Sequence, residues 1–178
     1  MEGDRLTPEQ VHAELERVRE TFHRLVESSS AAELRRPTDG TRWTNSQLLF
    51  HMLLGYFVVR SLLGLVRTLG RLPDGISRQF ARVLNVGTRP FHRVNYLGGC
   101  AGALVLHGPR LTAMADRTID ALHRRLDDES LQALDRRMHF PTGWDPFFAE
   151  TMSLLEVYHY GTVHFDFHRR QLTLPLEE

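Results

Sequence analysis

Residues 48–70 read LLFHMLLGYFVVRSLLGLVRTLG. A membrane-spanning helix needs about 20 predominantly apolar residues, so this run raises a choice between a lipid span and the core helix of a helical protein. One imidazole and two guanidinium groups, of His51, Arg60 and Arg67, interrupt it. At about 100° per residue, Arg60, Arg67 and the following Arg71 share one narrow stripe, while apolar side chains occupy the rest of the circumference. That is the pattern of a helix buried on several sides with one wet edge. Just upstream, Trp43-Thr44-Asn45-Ser46-Gln47 supplies a start signal: Thr44 as N-cap, Gln47 three residues on, and Trp43 with Leu48 placed for a hydrophobic staple.

The same grammar extends outward. Thr7, Pro8 and Gln10 open a first helix, and Val11, Leu15, Val18, Phe22 and Leu25 form its apolar stripe to an end near Ser28–Ser30. A third long helix is expected from Pro109, burying Leu111, Met114, Ala115, Thr118, Ile119, Leu122 and Leu126. Ser130–Arg137 reads as a short helix. Trp144, then Asp145 as N-cap and Pro146 at the first turn, announce a last helix running through Phe147 to about Gln171. Between Arg71 and Pro109, Pro and Gly punctuate short apolar runs. One or two short helices are expected there, around Ser77–Asn85 and Cys100–Leu106. Strand-like alternation is absent, so the fold class is all-α: a four-helix bundle with an elaborated connection between its second and third long helices.

The chain has 178 residues, the size of one domain, so residues 1–178 are read as a single bundle. Its 22 basic and 22 acidic residues cancel, which removes the bulk attraction that non-specific nucleic-acid binding uses. Every basic residue is Arg; with no Lys, a Schiff base or P-loop lysine is excluded. A single cysteine, Cys100, excludes an internal disulfide and any multi-cysteine metal site, and reads as a packing residue. The polar N-terminus has no apolar signal core, so a cytoplasmic location is expected.

Histidine is the unusual component, at ten residues. In the last helix, with His164 taken as zero, His168 falls at about +40° and Tyr160 at about −40°, whereas His159, Thr162, Asp166, Arg169 and Arg170 lie on the far side. His164 and His168 are therefore an i, i+4 pair on the inward face, a geometry that brings two imidazoles to one ion. His51 lies about 180° around its helix from Arg60 and also points inward. Any one of these is commonly a hydrogen-bonded core residue. Three imidazoles buried together without partners are costly, and one divalent ion satisfies all of them. Tyr160 is a candidate hydrogen-bond donor to an ion's ligand or an aromatic core residue. Gln171 is a candidate for orienting substrate or capping the helix end. His12, Glu16, Arg19 and His23 form a polar stripe expected to be solvated, His159 is expected at the surface, and His92, His107, His123 and His139 carry no chemistry.

W-T-x-x-x-L-L-x-H at Trp43–His51 and Y-x-x-x-H-x-x-x-H-x-x-Q at Tyr160–Gln171 resemble the DinB-like (DinB/YfiT-type) superfamily over most of the chain. The resemblance implies an up-down-down-up four-helix bundle, commonly a homodimer, with Zn or Ni held by three histidines that map onto His51, His164 and His168. It implies a metal-dependent enzyme acting on a small molecule, such as a transferase of a low-molecular-weight thiol (bacillithiol or mycothiol), an isomerase or a hydrolase. Three neutral imidazoles leave coordination positions open, as catalytic sites do. The alternatives are a non-catalytic bundle with a structural ion or none, and a partner-binding module using the apolar second helix. The long segment between the second and third helices departs from the simple family pattern and is placed to cover the site.

Overall fold

The computed structural model describes residues 6–174. Four long helices dominate it: α1 (Pro8–Glu27), α3 (Asn45–Leu69), α6 (Pro109–Asp127) and α8 (Leu154–Arg169). Two of the expected starts are realised with reciprocal capping. Thr7 and Gln10 exchange side-chain to backbone hydrogen bonds at 2.8 and 3.3 Å, and Thr44 and Gln47 do the same at 3.0 and 3.4 Å. Each such box satisfies two helix-end amides that would otherwise lack partners.

The directions in which the long helices run follow from paired residues. α1 and α6 are antiparallel, with His12 beside Asp127 and His23 beside Asp116. α3 and α8 are antiparallel, with His51 against His168 and Tyr56 against Gly161. α1 and α8 run together, as Glu14 meets His159 and Arg17 meets Asp166. α3 and α6 also run together, since Arg125 reaches the carbonyl of Arg60 while Arg67 pairs with Glu129 beyond the end of α6. Their facing sides bury Leu15, Leu48, Met52, Leu63, Ile119, Leu122 and Phe165 almost completely. Each contributes on the order of 1.5–3 kcal/mol. Among the described residues α3 alone is long and apolar enough to cross a membrane, and much of that apolar surface is already covered by its neighbours.

The last helix corrects the sequence reading. It begins at Leu154, not at Pro146. Asp145 does cap a turn, accepting from the Phe147 amide at 2.9 Å. The helix itself is started by Ser153 and Glu156, which satisfy two amides reciprocally. The residues before it form a strand, β2 (Thr151–Ser153), paired antiparallel with β1 (Arg137–His139), so that Met138 lies opposite Met152. The expectation of no strands is corrected by this small sheet, which is too short to show alternation in sequence. α7 spans only Leu131–Leu134, capped by Ser130, because Arg137 is already part of β1. A further single turn, α2 (Ala31–Leu34), follows α1.

The connection between α3 and α6 holds two substantial helices, α4 (Asp74–Val86) and α5 (Thr88–Val105). α5 starts at Thr88 instead of Cys100. Pro90 falls in its first turn, where a missing amide costs nothing. The Gly98-Gly99 pair read as a breaker, yet Gly99 is where the helix meets Trp43: a Cβ there would lie 3.0 Å from the indole nitrogen. Gly102 lies similarly on the Phe50 ring. Missing side chains let α5 settle onto α3.

The polar stripe of α1 is not simply solvated. It forms a seam with α6: His12 stacks on His123 at 4.9 Å, Glu16 meets His123 at 2.6 Å, and Arg19 meets Asp120 at 2.6 Å. Asp116, and then Glu27, hold His23 above the ordinary imidazole range. His139, also read as unassigned, is buried and ties α4 to β1 through Ser77 at 3.2 Å.

Candidate metal centre

His51 sits in the second turn of α3, and His164 and His168 in the last two turns of α8. Because α3 and α8 are antiparallel, these positions meet at one level of the fold. The ring centroids lie 5.0 Å (His51 to His164), 4.8 Å (His51 to His168) and 4.5 Å (His164 to His168) apart. One ring nitrogen from each comes within 4.8 Å of the other two. Two glycines make this approach possible. A Cβ on Gly55 of α3 would stand 2.7 Å from His164 Nδ1, and one on Gly161 of α8 would stand 2.7 Å from the Tyr56 ring.

The donor set fits a divalent ion. Nδ1 of His51 and Nδ1 of His164 are buried with no hydrogen-bond partner. A buried polar atom left unpaired costs about 1–3 kcal/mol. His168 is oriented differently: its Nδ1 hydrogen-bonds the amide oxygen of Gln171 at 2.7 Å, which leaves Nε2 as the lone-pair nitrogen. Burial pushes His51 down to about 3, with the charge of His168 adding to it. Burial lowers His164 well below its usual range, assisted by His168 and His51, and lowers His168 against the opposing pull of Gln171 and Asp145. All three are thus neutral at pH 7, the form that binds metal.

These shifts have a measurable consequence in protein stripped of metal. The unfolded chain protonates its histidines near pH 6.5, whereas native His51 resists until about 3. Between those values the unfolded state binds more protons, so stability falls as pH drops, by up to about 1.4 kcal/mol per pH unit per ring. Thermal melts of the metal-free protein between about pH 7.5 and 4.5 are expected to show Tm falling with acidification, less steeply in His51→Gln. Equal slopes in the two proteins would contradict this.

Beside His51 and His164 opens a cavity of about 200 Å³. Its walls come from α3, α4, α5, the β1 region and α8, and are formed largely by Leu62, Phe80, Phe91, Phe140, Trp144 and Phe148. Phe91 of α5 stacks on Trp144 at 4.0 Å, and the Trp144 indole donates to the Leu84 carbonyl of α4 at 2.8 Å. The segment expected to cover the site therefore walls a chamber next to it. Asp145 is the acidic residue among the described lining residues. Its carboxylate accepts from the Tyr160 hydroxyl at 2.9 Å and lies 3.9 Å from His164 Nε2. Burial, and then the Asp145 charge, push the Tyr160 phenol above its ordinary range, so it keeps its proton.

The structure brings His51, His164 and His168 together, with Tyr160 lining the cavity beside them. Tyr160's one proton is committed to Asp145. Gln171 instead hydrogen-bonds the His168 ring. His159 is half-exposed and pairs with Glu14 of α1 at 2.8 Å, away from the cluster. Two neighbours escaped the sequence reading. Trp43, taken as a staple residue, stacks on His51 at 4.3 Å and donates to the Tyr96 carbonyl at 3.3 Å. Asp145, taken as a helix cap, is a cavity residue. The signal for Asp145 was its place beside a turn, which local capping explained equally well; Trp43 also opened the Trp43–His51 motif, which by itself assigned it no contact with the histidines.

Fold and site together define a predominantly helical protein with a buried three-histidine cluster able to hold a metal ion. The chain belongs to the DinB superfamily, whose family model matches residues 14–172, in agreement with the resemblance carried by the histidine motifs. No curated protein and no solved structure gives a significant match.

Proposed function

We propose that this chain is a divalent-metal-dependent enzyme that transfers a low-molecular-weight thiol to a small electrophile, on an up-down-down-up four-helix bundle. The helix directions given by the paired residues support the bundle. The observation that carries the enzymatic reading is the pair of partnerless imidazole nitrogens of His51 and His164, two residues that also line an apolar chamber. A purely structural ion needs no such space. His51, His164 and His168 would hold the ion, Zn or Ni being the candidates. When bound, it supplies Lewis acidity that lets a thiol or water lose its proton near neutral pH. Gln171 fixes the His168 ring, and Trp43 covers His51. Asp145, 3.9 Å from His164, is placed to hold a proton released beside the cluster, and Tyr160 fixes the orientation of that carboxylate.

The test uses untagged protein loaded with Co or Ni and titrated with a low-molecular-weight thiol such as mycothiol. The expected result is a saturable change in the visible and near-ultraviolet spectrum, absent in His164→Ala. A bound ion that shows no response to any thiol would overturn thiol transfer and leave a structural ion.

A further inference from the structure

The chamber beside the histidines is built for an uncharged molecule. Its walls are aromatic and aliphatic. Although all 22 basic residues of the chain are Arg, none is among the described lining residues. The charged residue that does face it is Asp145, whose carboxylate is already oriented by Tyr160. An anion entering would lose its hydration with no basic side chain in the lining to replace it and would meet the Asp145 carboxylate, both strongly unfavourable away from the ion's own edge of the chamber. A neutral apolar body instead exchanges water contact for contact with Phe80, Phe140 and the stacked Phe91–Trp144 pair. Size narrows the class further. An apolar cavity of about 150 Å³ stays dry and takes benzene, so about 200 Å³ suits a single ring with a short substituent.

We infer that this chamber is the binding site for an uncharged, single-ring or similarly compact apolar electrophile. Resting on the proposed function, it assigns the two substrates to different sides of the cluster. The apolar partner enters between α3, α4 and α5 against His51 and His164, and the polar thiol approaches from the half-buried His168. Among the polar lining groups, Asn95 and Asp145 lie where a neutral substituent can be hydrogen-bonded without displacing the histidines from an ion.

Calorimetric titration of the full chain with benzyl alcohol and with benzenesulfonate, a poor metal ligand of similar size, tests this. It is run on protein as purified and again after chelator treatment. Benzyl alcohol is expected to bind with a Kd of about 1 mM or tighter in both forms. In the chelator-treated protein, where the lining side chains alone set the charge, benzenesulfonate is expected to bind at least about tenfold more weakly. Val58→Phe, which fills the chamber from α3, is expected to abolish benzyl alcohol binding. Its fold is checked by a cooperative melt and its cluster by unchanged metal content. Equal or tighter binding of the sulfonate by the chelator-treated protein, or no binding of benzyl alcohol to the folded wild type, overturns the inference. Metal content, measured separately, decides the enzymatic reading: a protein that takes up no ion yet still prefers benzyl alcohol loses the function and keeps the chamber.

Discussion

His164→Ala is expected to lose tight binding of the divalent ion, weakening it by at least about 100-fold. His164 is the most deeply buried of the three, and its ring lies 4.5 Å from His168. Removing it leaves two imidazoles on different helices, with one coordination position replaced by a small void. Apparent binding energies of nitrogen and sulfur zinc sites run to about 10–16 kcal/mol, so the loss of one donor among three is large. His159→Ala is the matched control on the same helix. Its ring pairs with Glu14 of α1, so metal content is expected to be unchanged. Elemental analysis of untagged proteins, followed by competition with a chromophoric chelator, reads both. Retention of wild-type metal by His164→Ala would remove the cluster as the site.

Gly55→Val is expected to damage stability and metal affinity together. The Cβ alone would stand 2.7 Å from His164 Nδ1 and 3.0 Å from its Cε1, and valine adds two methyl groups behind it. The imidazole cannot retreat far, because His164 is 3 % exposed. Overpacking of this kind costs about 1–3 kcal/mol, and displacing a ligand's support costs about 10–100-fold in metal affinity. Nine positions along the same helix, Gly64 has nothing within 4 Å of its missing Cβ. Gly64→Ala is expected to stabilise by about 0.5–1 kcal/mol, since alanine restricts the unfolded chain more and favours the helix. Denaturant unfolding of the two variants should therefore shift in opposite directions. A destabilised Gly64→Ala together with an unaffected Gly55→Val would contradict the close approach of α3 and α8.

The helices most legible in sequence were those with a reciprocal cap and a long apolar stripe. Thr7 with Gln10 and Thr44 with Gln47 place two starts to the residue, because the groups that decide them lie within four positions of one another. Asp145-Pro146 is equally local and misled, since the carboxylate's second oxygen is engaged by Tyr160, fifteen positions away. The glycines of α5 misled for a related reason. Gly98 and Gly99 read as interruptions, and the use of Gly99 as a contact surface depends on Trp43 of a distant segment.

By itself the sequence determined the helical class, the three inward histidines and the membership those motifs imply, because helical periodicity states which side chains share a face. Tertiary structure decided what those faces meet. It set His51 against His164 and His168 through the antiparallel run of α3 and α8, moved Trp43 and Asp145 into the site, and turned an illegible connection into the walls of an apolar chamber. Those are relations between residues distant in the chain, settled by packing and burial, and no local pattern encodes them.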